Sequence, residues 1–153
     1  MPISAYIRSL RERIGQDLLL LPAVSAVIVD DDGRILLARS HGDDQWALIG
    51  GGIEPGEEPS ASIAREVREE LGVEATVGQI VGVYGGDAMF ITYANGDRCA
   101  YVTTAYACRL APGPLVLEES ELRDVGWFEP SEISKLDTQP YVERILVDAG
   151  VPI

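Results

Sequence analysis

Apolar positions along the chain follow two rhythms. Ile3, Ile7, Leu10 and Ile14 recur at helical spacing and Gly15 follows as a stop, which predicts an amphipathic helix at about 3–15. The run 23–29 predicts a buried strand. Asp30-Asp31-Asp32-Gly33 predicts a turn and 35–39 a returning strand, so the pair reads as a hairpin. A third short strand, 46–49, leads into Gly50, Gly51 and Gly52. Pro59 suits a first helical turn and Gly72 a helix stop, and they bracket a second helix. Strand-like runs follow at 77–84, 88–93, 99–110 and 125–128, and Asn95-Gly96-Asp97 marks a hairpin between the middle two. Val142, Ile145, Leu146 and Ala149 give a closing helix at 141–150 one apolar face. These elements predict a mixed sheet with antiparallel hairpins and helices packed on it, an α/β (α+β) sandwich. No repeat, low-complexity tract or linker divides the chain, so 1–153 is expected to form a single domain.

Composition narrows the picture. The chain is 46% hydrophobic and 24% charged, the balance of a globular protein rather than a disordered one. No apolar run approaches the ~20 residues needed to span a bilayer. The cluster from Leu18 to Val29 is broken by Pro22 and Ser25 and follows a charged stretch, unlike a secretory signal, so a cytoplasmic location is expected. A net charge of −13 argues against duplex nucleic acid or an anionic membrane as partner. It leaves room for a small phosphorylated substrate if bound cations invert the local field. Cys99 and Cys108 are spaced so that one strand points them to opposite faces; they read as buried thiols, not a disulfide. The single histidine, His41, rules out a His-rich zinc site. The N-terminal helix and the apolar run Leu18–Leu21 are hard to bury in one small domain and predict a homodimer.

The chemistry concentrates between Gly51 and Val73. At about 100° per residue, Glu66, Glu69 and Glu70 share one arc of the second helix, while Ile63, Ala64, Val67 and Leu71 share the neighbouring one; Arg65 and Arg68 point elsewhere. Like charges so placed repel one another, and the last turn of a helix disfavours them. A solvated helix face accommodates such a triplet, and so does a hard divalent cation, which takes oxygen ligands and bridges carboxylates to phosphates. The three glycines before the loop favour the second reading, since glycine permits φ > 0 and close approach of backbone to a ligand. Glu57 stands before the helix, placed to pair with Arg65 and hold the loop.

Gly51, Glu57, Arg65, Glu66, Val67, Glu69, Glu70, Gly72 and Val73 resemble the Nudix box at every fixed position of its 23-residue window. The 35–39 strand, the approach through Trp46-Ala47-Leu48, the 93–97 hairpin and the closing Trp127-Phe128 also look like bacterial Nudix proteins, with Ile49 where many relatives carry proline. The resemblance implies an α/β/α sandwich. It implies a hydrolase that uses Mg²⁺, with Mn²⁺ as a substitute, to cleave the diphosphate linkage of a nucleoside diphosphate joined to another moiety. ADP-ribose, nucleotide sugars, dinucleoside polyphosphates and oxidised nucleoside triphosphates all share that linkage. The metal ligands so implied are Glu66, Glu69, Glu70, the Gly50 carbonyl and, in some relatives, Glu57. Arg65 and Glu57 would shape the loop. Water would be the nucleophile, its proton taken by Glu69 or by a glutamate outside the box, for which Glu118, Glu119 and Glu121 are the candidates. Arg39 suits a substrate phosphate or a surface ion pair; Trp46, Tyr84 and Tyr93 suit base stacking or core packing. Two other functions share the fold. A non-catalytic nucleotide-sensing regulator need not keep the metal glutamates, and an isoprenoid diphosphate isomerase needs a reactive cysteine near its substrate.

Overall fold

The computed structural model describes residues 3–153. Helix α1 (Ala5–Ile14) is capped by Ser4, whose Oγ accepts the Ile7 N–H at 3.1 Å, and none of its residues is buried. Strand β1 (Leu19–Ile28) starts earlier than its apolar core suggests and absorbs most of the Leu18–Leu21 run. Leu18 and Leu20 nonetheless remain exposed. β1 runs parallel to β6 (Arg98–Leu110), from Leu19 opposite Cys99 to Ile28 opposite Cys108. On its other edge it pairs antiparallel with β3 (Ile49–Gly52). β6 also carries β4 (Ala75–Tyr84) and the short β5 (Phe90–Thr92), both antiparallel. Strands β2 (Ile35–Ser40) and β7 (Leu122–Phe128) form a separate two-stranded sheet.

The sheets lie between helices. Helix α2 (Pro59–Leu71) sets Ile63, Val67 and Leu71 against Val24, Ala26, Ile28, Ile49, Tyr106 and Cys108. On the opposite face, α4 (Val142–Asp148) packs Val142, Ile145 and Leu146 against Val27, Leu48 and Ala105, joined by Ile133 of the one-turn α3 (Pro130–Ile133). This is an α/β/α sandwich with a mixed central sheet. Cys99 and Cys108 both lie buried and unpaired on opposite faces, because both faces are covered. Among the described residues, no helix is long and apolar enough to cross a membrane.

The structure departs from the hydrophobic pattern in several places. The expected hairpin between 23–29 and 35–39 keeps its turn, where the Asp30 carboxylate accepts the Asp32 and Arg34 N–H groups. Beyond one bridge, Val29 to Ile35, the strands part and β2 pairs with β7. Ile35 and Leu37 face one core while Leu36 and Ala38 face the other, so β2 needs cover on both sides. The expected strand 46–49 begins only at Ile49; Trp46 and Ala47 make isolated bridges to Thr138 and Ala38. The run 88–93 is a 3-10 turn followed by β5, and the last helix stops at Asp148 with Ala149 as its cap. The 93–97 turn is formed as expected, with Tyr93 N–H bonded to Asp97 O at 2.9 Å.

Gly50 and Gly51 do not serve through positive φ, which neither residue shows; they are strand residues. They serve through space. A Cβ on Gly50 would stand 2.2 Å from the Val24 carbonyl oxygen, so only glycine lets β3 lie against β1. Gly50→Ala should therefore lower stability by about 1–3 kcal/mol, the cost of forcing atoms into a packed interior. Thermal melting checks this, with an unchanged Tm as the contrary result.

Candidate active site

The site assembles where β3 hands the chain to α2. The connecting loop turns at Gly56, at φ 86°, with the Glu57 N–H bonded to Glu54 O at 3.0 Å. The Glu57 carboxylate accepts the Glu54 N–H at 2.9 Å and two Arg65 N–H groups at 2.8 and 2.9 Å. The Arg65 hydrogen bonds and that backbone donor outweigh partial burial and bring the Glu57 carboxyl down to about 2. Pro59 opens α2, and Gly72 in the left-handed conformation closes it.

Arg65 does not point away from the acidic triplet as the helical arc suggested. Its Nη1 donates to Glu66 Oε1 at 2.9 Å and Glu69 Oε2 at 3.1 Å, and its Nη2 reaches Gly52 O at 3.3 Å. One flexible side chain thus crosses from its own helical position to loop and carboxylates together. The three glutamates also differ from one another. Glu66 is fully buried and Glu70 nearly so, both on the core side of α2, while Glu69 is about half exposed. Burial pushes the Glu66 carboxyl up to about 7, against the opposing pull of Arg65. Burial likewise pushes Glu70 up to about 8, with the charges of Glu66 and Glu121 adding to it. Glu121, in the turn just before β7, also hydrogen-bonds Glu70, so a fourth carboxylate joins the cluster from another segment. Glu118 instead bonds Ser120, and the Glu119 carbonyl contacts the His41 ring at 2.7 Å.

These residues fit a divalent cation. Among the described residues no three acidic, histidine or cysteine side chains stand ready as a metal group, while Arg65 Nη1 engages both Glu66 and Glu69. Glu66 Oε2 is buried without a hydrogen-bond partner, and such an oxygen is costly to bury unless something compensates it. The space before it is kept by Gly51, whose Cβ would stand 2.4 Å from Glu66 Oε1 and 2.8 Å from Oε2. Clustered carboxylate oxygens are the ligands that hard cations such as Mg²⁺ take.

A NUDIX domain family model matches residues 19–148 of this chain. The chain belongs to the Nudix family. It is similar to a MutT-like protein of Streptomyces ambofaciens, 33% identical over 124 residues covering 81% of this chain and 73% of that protein. The nucleoside triphosphatase NudI of Escherichia fergusonii is 31% identical over 132 residues, covering 81% of this chain and 93% of NudI. Among solved structures, a UDP-X diphosphatase superposes with a TM-score of 0.66 at 25% identity, over 98% of this chain and 72% of its own. A NUDIX hydrolase from Nitrosomonas europaea gives 0.67 at 25% identity, over 87% and 91% of the two chains. This Nudix protein is accordingly a pyrophosphohydrolase, and hydrolases of this family generally use divalent metals.

The structure brings Gly51, Glu57, Arg65, Glu66, Glu69 and Glu70 of the Nudix protein together, and sets Gly50 in the β3 ladder opposite Ser25. The expected substrate contacts separate. Arg39 pairs with Asp124 at 2.5 Å and lies over the Trp46 ring at 4.4 Å, while Trp46 packs edge-on against Phe128 at 4.8 Å. Tyr84 donates to Asp148 at 2.9 Å. Of these four, only Tyr93 lines the cavity of about 650 Å³ that opens beside Glu57. Tyr101 and Cys99 line the same cavity, although sequence reasoning had placed neither there; their shared parity along β6 was the available signal.

The carboxyl shifts give a pH dependence for the metal-free protein. Both Glu66 and Glu70 titrate above the ordinary 4.5, so the folded state binds protons that the unfolded state releases. Their contribution is complete below about 4.5 and is lost as pH rises toward 7–8. In EDTA, Tm should therefore fall between pH 5 and 8, and Glu70→Gln should flatten that fall. A Tm that rises over this range in EDTA, or a variant with the wild-type slope, contradicts the assignment.

Proposed function

We propose that this Nudix protein hydrolyses, with Mg²⁺, the diphosphate linkage of a nucleoside diphosphate joined to another moiety. The observation that carries the proposal is the buried, unpartnered Glu66 Oε2, with Glu70 buried near it and Gly51 leaving the approach open. Glu66, Glu69 and Glu70 would hold the ion, with the Gly50 carbonyl and Glu57 as further oxygens of the same segment. When bound, the ion neutralises the diphosphate and activates water for attack on phosphorus. Arg65 keeps the loop and its glutamates aligned, so that little reorganisation remains when substrate arrives. Glu121 is the glutamate outside the box that meets Glu66 and Glu70, and we assign it the proton of the attacking water in preference to Glu118 or Glu119. The named relatives, a nucleoside triphosphatase and a UDP-X diphosphatase, support a nucleotide-type substrate. The exposed Leu18 and Leu20 support a homodimer, which light scattering at micromolar concentration checks against the 16.5 kDa monomer.

A nucleotide panel with product separation tests the reaction. Activity should vanish in EDTA and return with Mg²⁺ or Mn²⁺, and ¹⁸O-water should label a phosphate product. Glu70→Gln should lower kcat by at least ~10²-fold, as loss of a principal electrostatic group does. Its Tm without metal near neutral pH should equal or exceed that of the wild type, because a carboxyl that must take up a proton on burial is gone. Wild-type turnover at saturating Mg²⁺ would remove Glu70 from the assignment.

The three outer glutamates are separable by the same assay. Glu121→Gln should lower kcat by roughly 10²-fold or more, the usual scale of general-base catalysis, whereas Glu118→Gln and Glu119→Gln stay near wild type. Equal effects at all three positions would point to general surface charge and against Glu121.

A further inference from the structure

The cavity beside Glu57 is walled on one side by α1, which lies before the matched segment 19–148. Tyr6 and Ile7 come from α1 and Ile3 from the segment that precedes its cap, Ser4; Leu20, Leu21 and Pro22 come from β1. The floor and far side are Ile53 and Pro55 of the loop and Tyr93, Cys99 and Tyr101 of the β5–β6 hairpin. Helix α1 is held there by polar contacts, chiefly through Arg11. Its guanidinium donates to the carbonyls of Gly15, Asp17 and Arg98 and to Cys99 Sγ, and lies 3.7 Å from Asp97. Gln16 adds a bond to Asn95 O at 2.6 Å.

The chemistry of the lining says what it takes. Among the described lining residues Arg11 is the only cation, and its donors are already engaged, whereas Glu54, Glu57 and Asp97 are acidic. Phosphate is therefore repelled from this end. Apolar walls and tyrosine rings suit an uncharged flat group, and the acidic and amide oxygens at the rim suit ring or exocyclic N–H donors. Glu57 belongs both to the cavity and to the Arg65 network that carries Glu66 and Glu69, so a substrate with its diphosphate at the glutamates can extend into the cavity.

We propose that this cavity receives the nucleobase of the substrate and that α1, through Tyr6 and Ile7, is a specificity element for it. The inference rests on the hydrolase reading for its kinetic arm but not for its binding arm. In the binding arm, adenosine, guanosine, cytidine and uridine are offered to the metal-free protein and followed by saturation-transfer NMR. At least one nucleoside should contact the wild type and Glu70→Gln, and lose that contact in Ile7→Glu and Tyr6→Ala. α1 buries no residue, so both variants should keep the wild-type Tm within a few degrees. In the kinetic arm, the nucleoside triphosphate turned over best is compared with ribose 5-triphosphate, which lacks the base. The ratio of their kcat/KM values should fall about tenfold or more in Ile7→Glu and Tyr6→Ala, as expected when a stacked base loses its platform. Val147→Glu, an exposed apolar position on α4, should leave the ratio at the wild-type value. Nucleoside contact without any hydrolysis supports the cavity assignment and sinks the hydrolase reading. The cavity assignment itself is overturned if no nucleoside contacts the wild type. It is also overturned if the ratio is the same in all variants, or if Ile7→Glu only converts a dimer to a monomer with the ratio intact.

Discussion

Arg65 is the interaction on which the site depends. Its guanidinium joins the loop through Glu57 and Gly52 to the helix through Glu66 and Glu69. A lysine at this position offers a point charge and no planar fork, and cannot hold the same geometry with one side chain. Removing the Arg65 charge would leave the wholly buried Glu66 with no counterion among the contacts seen here, and an uncompensated buried charge is among the most costly features a fold can carry. The loop, the acidic helix face and the end of β3 thus stand or fall as one unit.

The backbone prepares for that unit at two glycines with different tasks. Gly50 removes a side chain that would strike the Val24 carbonyl, which lets β3 pair closely with β1. Gly51 removes one that would fill the space at the Glu66 carboxylate. The long parallel pairing of β1 with β6 fixes both strands against each other, and with them the hairpin that carries Tyr93 and Tyr101. Those two hydroxyls are 2.6 Å apart, so the hairpin presents its rings as a bonded pair. The rigid centre of the sheet therefore sets the distance between the acidic cluster and the cavity wall.

Crowding of carboxylates is the price of this arrangement. Burial raises the proton affinity of Glu66 and Glu70, and the neighbouring Glu121 charge adds to both. In a protein of net charge −13 nothing in the general field relieves that repulsion. Arg65 relieves part of it, and a divalent cation is the chemical partner suited to the rest.

The Nudix box was legible in the sequence because its spacing is local: glycine, loop acid, arginine and glutamates sit on one strand–loop–helix unit whose geometry follows from helical periodicity. Helix α2, its two ends, the 93–97 turn and the two buried cysteines were legible for the same reason. What tertiary structure decided is everything that depends on distant segments meeting. Arg65 turned toward the carboxylates because Glu57 and the buried Glu66 needed a counterion, a matter no helical arc records. β2 left its apparent hairpin partner for β7 because its two faces each found a core. Glu121 was indistinguishable from Glu118 and Glu119 until β7 set it against α2, and Arg39, Trp46 and Tyr84 were drawn into packing by partners far along the chain. The sequence by itself determined the local chemistry, since short-range periodicity and turn residues are written in neighbouring positions. The cavity under α1 exists only in three dimensions, because its walls come from four segments that nothing but packing brings together.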